Sequence, residues 1–146
     1  MRGLIGEDAF KRGLQGFIRD WAYKHPTPWD FFYTFDNVAK RDLDWFWNDW
    51  FFGSGYIDLA VRGVKRADDG YAVSLENIGG MDAPVDLVLH YQDGTSQSVH
   101  ETPAIWAADP RNTTVTVHAT GPLQSVTLDG GIWVDADPSN NTWTAG

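Results

Sequence analysis

Cysteine is absent from this 146-residue chain, which excludes disulfides and thiolate metal sites. Positive charge is scarce: 11 Lys and Arg stand against 20 Asp and Glu, for a net charge of −9. That balance excludes the clustered basic surface nucleic-acid phosphates require. No apolar run approaches the roughly 20 residues of a membrane span. The opening MRGLIGEDAFKRG turns polar too early for a secretory signal. No HExxH, phosphate loop, dinucleotide fingerprint or nucleophile elbow occurs anywhere in the chain. What remains is a folded composition, 42% hydrophobic and 14% aromatic, with length for one ordinary domain or two small ones.

The aromatics are unevenly placed. Trp21 to Phe52 holds five of the eight Trp and six of the eight Phe. Charge is uneven too: residues 1–52 carry 7 basic and 8 acidic side chains, whereas 53–146 carry 4 and 12. Three helices are expected in the first part. Over 7–24, Phe10, Leu14, Phe17, Ile18 and Trp21 form an apolar stripe opposite Lys11, Arg12, Gln15 and Arg19. His25-Pro26 is expected to end that helix, because a residue before proline avoids helical dihedrals. Thr27, Pro28 and Asp30 then have the spacing of a capping box with proline at the first helical position. Phe31, Phe32, Phe35 and Val38 make the second stripe. Asp42 is placed to cap a third helix with Leu43, Phe46, Trp47 and Trp50 inward, stopped by Gly53-Ser54-Gly55.

From Tyr56 the apolar period changes from 3.6 to 2. Alternation runs through Ile57-Leu59-Val61, Tyr71-Val73-Leu75, Val85-Leu87-Leu89-Tyr91, Val115-Val117 and Val126-Leu128. Turn signals separate these runs at Asp69-Gly70, Gly79-Gly80, Asp93-Gly94, Asp109-Pro110 and Gly121-Pro122. The Asp93-Gly94 hairpin has two possible registers. A two-residue turn leaves Val99 outside, and a one-residue bulge turns it inward. The expected fold is α+β: a three-helix unit over 1–54, then an antiparallel Ig-like β-sandwich of seven or so strands over 55–146.

Candidate chemistry is sparse. His25 precedes a proline and reads as a capping or surface residue. His90, His100 and His118 lie in strands with no acid or histidine at ligand spacing. Asp135-Ala136-Asp137-Pro138-Ser139-Asn140-Asn141 alternates acids and amides like a calcium loop. It lacks that loop's central glycine and bidentate glutamate, so an Asx turn is expected. Asp68-Asp69 reads as a solvated hairpin tip, and Ser54 has no histidine arranged to activate it. No catalytic or metal-binding residue is therefore assigned. Large rings are left over once each helix has one buried stripe, and Trp29, Tyr33 and Trp45 are the candidate interface residues. If this were instead a carbohydrate- or protein-binding module, Trp106 and Trp133 would be the stacking candidates.

The helical residues also resemble a known pattern. Gly6-Glu7-Asp8-Ala9-Phe10, the helix through Trp21, and Asp42-Leu43, Phe46, Trp50 and Gly55 are similar to the closing helices of gluzincin zinc aminopeptidases, the aminopeptidase N-like family. The tail Asp135 to Trp143 looks like the terminus of bacterial members with a short C-terminal region. The match is specific over 1–56 and looser beyond. The resemblance implies a non-catalytic C-terminal portion of such an enzyme, whose reaction releases N-terminal residues from peptides. The family's HExxH, third zinc ligand, GxMEN-type motif and transition-state tyrosine lie upstream of the matching part, so no catalytic residue carries over and zinc is expected only in the parent. The implied partner is the remainder of the catalytic domain, with a homo-oligomeric contact through the helical face as the alternative. The family is often periplasmic, secreted or associated with the cell surface.

Overall fold

The computed structural model describes residues 1–119, 121–129 and 135–146. It divides into two units, Met1–Phe52 and Gly53–Gly146.

In the first unit, α1 (Arg2–Ile5) is a short helix without a periodic signal of its own, and Leu4 is buried in it. The Arg41 guanidinium donates to the Leu4 carbonyl and ties α1 to the far end of the unit. Next, α2 (Glu7–Trp21) carries Glu7 and Asp8 in its first turn, where the helix dipole favours anions. It stops earlier than His25-Pro26 suggested. Ala22 at φ −52°, ψ 130° and Tyr23 at φ +61° have type II turn geometry, closed by the Lys24 N–H on the Trp21 carbonyl at 3.0 Å. After that turn, α3 (Pro28–Ala39) begins as its capping residues require. The Asp30 carboxylate accepts the Thr27 N–H at 2.8 Å and the Thr27 hydroxyl at 2.7 Å. The third expected helix splits. A single α-turn, α4 (Asp44–Trp47), continues as a π-helical turn over Asn48–Phe52. Its N-cap is Leu43 rather than Asp42, although the Asp42 carboxylate still accepts the Asp44 N–H at 2.8 Å.

Leu4, Phe32, Phe35, Leu43, Phe46 and Trp47 form this unit's core. The stripe expected on α2 meets it only in part, through Phe10. Leu14 and Ile18 are 39% and 60% exposed, and the helix's buried residue is Gly13. A Cβ at Gly13 would lie 2.5 Å from Phe35 Cε1, so only glycine lets α2 approach α3 this closely. Phe10 and Phe17 flank that crossing, with ring centroids 5.9 Å from Phe35 and 5.2 Å from Phe31.

The second unit holds β1 (Leu59–Ala67), β2 (Gly70–Asn77), β3 (Val85–Tyr91), β4 (Ser96–Glu101), β5 (Asn112–His118), β6 (Leu123–Leu128) and β7 (Thr142–Thr144). They make a three-stranded sheet, β1-β2-β5, and a four-stranded sheet, β4-β3-β6-β7, with antiparallel pairing throughout both. The fold is therefore α+β, helices first and two antiparallel sheets after. The inward residues of both sheets meet in one core, in which Val73, Leu87, Leu89 and Val126 are fully enclosed. The buried Trp106 fills this core and donates its indole N–H to the Ala83 carbonyl at 2.9 Å. The β3–β4 hairpin takes the bulged register. Gly94 sits at φ +85°, its N–H bonds the Tyr91 carbonyl, and Leu87 stands opposite Val99. Val99 accordingly packs against the core.

Candidate functional site

Register decides which titratable groups meet. Pairing of β3 with β4 sets Asp86 opposite His100, and His100 Nδ1 lies 2.6 Å from Asp86 Oδ1 at the sheet surface. Sequence spacing hid this pair, because the two residues are 14 apart across a hairpin whose register was open. His25 and His118 are exposed and His90 is half-buried opposite Ser96. Among the described residues, no three His, Asp or Glu side chains converge closely enough to hold a metal. The Asp135–Asn141 segment forms local turns, as its missing glycine and glutamate implied. Asp135 Oδ1 accepts the Asp137 N–H at 2.9 Å, and Asp137 Oδ1 accepts the Ser139 N–H at 3.1 Å. Asp135 Oδ2 is spent on the Leu59 N–H at 2.9 Å. Asp68 and Asp69 are the exposed loop between β1 and β2, and Ser54 is exposed.

Buried polar groups serve the fold. Asn77, fully enclosed, donates to Asp82 Oδ1 at 3.2 Å and to the Pro110 carbonyl at 3.1 Å, and accepts the Gly80 N–H at 2.9 Å. It pins together the end of β2 and the two loops beside it. In the helical unit, burial raises the Asp36 carboxyl above its usual range. The Trp47 indole N–H, donated to it at 2.8 Å, opposes that rise, while the Asp44 and Asp42 carboxylates add to it. Asp36 is thus part of the support beneath Trp47.

The remaining candidate is an aromatic surface. Trp29 and Tyr33, one turn apart on α3, are 52% and 59% exposed. Phe51 and Phe52 join them at 57% and 56% exposure, delivered by the π-turn. The Phe52 ring stacks on Trp29 at 5.4 Å with an 18° interplanar angle. Beneath, the buried Phe32 ring meets Trp29 at 5.6 Å, Phe51 at 5.0 Å and Phe52 at 5.9 Å. Trp45, the third expected interface ring, is instead half-buried, edge-on to Phe46 at 5.9 Å and packed against the core. Sequence periodicity missed Phe51 and Phe52 because an α-helical wheel does not anticipate a π-turn. On the sheet unit, Trp106 is buried and so cannot stack on a sugar. Trp133 lies outside the described residues.

No family model and no curated protein matches the chain. Among solved structures it is similar to Legionella pneumophila aminopeptidase A, whose structure was determined in complex with aspartic acid. The TM-score is 0.63 at 18% sequence identity, and the match covers 88% of this chain but 15% of that one. At that identity the likeness establishes the fold alone. The chain has the fold of a small portion of a much longer aminopeptidase.

Proposed function

We propose that this chain is a non-catalytic C-terminal portion of a zinc metallo-aminopeptidase of the aminopeptidase N-like type. Its helices close the catalytic domain, and its two sheets form a bracing domain of Ig-like type. The observation that carries this reading is the fold likeness to 15% of an aminopeptidase, covering 88% of this chain. The exposed aromatic surface supports it, because a wall severed from its body leaves apolar rings in water. The described residues offer no fit for zinc, since no three ligating side chains converge. In this reading the metal and the catalytic groups belong to the rest of the enzyme, and the whole enzyme releases N-terminal residues from peptides. The domain boundary of the reading falls at residues 54 and 55.

The test has two arms. The purified 146-residue chain, supplied with zinc, is expected to release no product from aminoacyl-anilide substrates. The reading frame upstream of Met1 is expected to encode an HExxH within a few hundred residues. Zinc-dependent release by the chain itself, or a frame without that motif, overturns the reading.

A further inference from the structure

We infer that the patch of Trp29, Tyr33, Phe51 and Phe52 is the seam on which the catalytic body of the same polypeptide docks, with the stacked Trp29–Phe52 pair at its centre. This deepens the reading above and rests on it. All four rings are more than half exposed, so together they present roughly 450 Å² of surface, taking about 200 Å² for a whole ring. Continuity follows from the one-turn spacing of Trp29 and Tyr33, the stack of Phe52 on Trp29, and the shared support of Phe32. A patch of clustered aromatics without a charged member has the composition of an interface centre rather than a rim. It is also supported from beneath before any partner arrives. Phe32 is 2% exposed and stacks on Trp47 at 4.7 Å, so the rings above rest on the unit's core. Preformed, supported aromatics are the usual anchors of tight interfaces.

Area selects the occupant. Two copies joined through this patch alone would bury about 900 Å² in total, short of the roughly 1,000 Å² a specific interface needs. A larger body can extend past the patch, and the matched aminopeptidase continues far beyond the matched portion, of which this fold is 15%. The exposed Leu14 and Ile18 on α2 are the weaker surface. They are two aliphatic side chains without an exposed ring beside them in the same stripe, unlike the aromatic centre of an interface.

Oxidative footprinting, read residue by residue by mass spectrometry, tests the seam. The probe compares the 146-residue chain with the longer polypeptide of its natural reading frame. Oxidation of Trp29, Phe51 and Phe52 is expected to fall roughly fivefold in the longer polypeptide, as for residues passing from half exposed to buried. The variant Trp29→Gln/Phe52→Gln in the longer polypeptide should lose peptidase activity at a lower temperature than Leu14→Gln does. Equal oxidation in the two polypeptides, or equal inactivation temperatures for the two variants, overturns the seam while leaving the peptidase reading intact. Rings protected already in the 146-residue chain, with sedimentation showing a dimer, assign the patch to a second copy and overturn it too. A reading frame without a metal-binding body removes both proposals together.

Discussion

Alanine at position 13 sets two opposing effects against each other within one residue. In an α-helix, Gly→Ala gains about 0.5–1 kcal/mol, because alanine loses less backbone entropy on folding. At Gly13, however, the new methyl would meet the Phe35 ring at 2.5, 2.7 and 3.1 Å from Cε1, Cδ1 and Cζ. Ordinary carbon contacts lie at about 3.5–4.0 Å, so one partner must move by about 1 Å. Phe35 has no room to do so. It is fully buried and held by Phe31 at 4.7 Å and Phe10 at 5.9 Å between ring centroids. Overpacking of that kind costs about 1–3 kcal/mol, so it outweighs the helical gain. Gly13→Ala should destabilise the helical unit by about 1–2 kcal/mol. Gly16 is the internal control. It lies on the same helix, and the nearest atom to its added Cβ is the flexible Arg19 Nη2 at 3.9 Å. Gly16→Ala should therefore stabilise by about 0.5–1 kcal/mol. Denaturant titration followed by circular dichroism at the helical minimum measures both. A Gly13→Ala protein as stable as the parent, with Gly16→Ala stabilised as expected, would refute the crossing.

Two further substitutions probe the polar interior. Asn77→Ala removes a side chain that closes three hydrogen bonds while fully buried, and should cost about 2–4 kcal/mol by thermal or urea unfolding of the sheet unit. A loss below about 1 kcal/mol would mean water replaces those bonds without cost. Asp36 gives a pH-dependent result. Its carboxyl is raised in the folded state, so its protonated form is favoured on folding. The associated stabilisation is present below the unfolded pKa and lost as pH rises through the folded one. Asp36→Asn keeps an acceptor for the Trp47 indole N–H and removes the half-buried charge. It should be more stable than the parent at neutral pH, with the difference closing as pH falls through the carboxylate range. A difference independent of pH over that range would refute the assignment.

Features fixed by neighbours in sequence were legible from sequence. The Thr27–Asp30 cap lies within one helical turn, and the alternation from Leu59 to Leu128 reports one buried face per strand. Features fixed by distant approach were not. Gly13 looks like a weakness in a helix until Phe35 is placed against it. The α2 stripe met the expected period, yet Leu14 and Ile18 stay exposed, because periodicity marks an apolar face without supplying its cover. The candidate surface was half legible. Trp29 and Tyr33 are exposed as counting faces on α3 implied, whereas Trp45 in α4 is half-buried and the π-turn exposes Phe51 and Phe52. The Asp86–His100 pair depended on a bulge that the Asp93-Gly94 signal permits but does not demand.

Strand order has a kinetic consequence. Because β5 returns to β2, the Glu76–Asn112 pairing closes across the whole β3–β4 hairpin, which belongs to the other sheet. Closures of that length slow folding. During synthesis the aromatic helices emerge first, while the sheets still await their last strands.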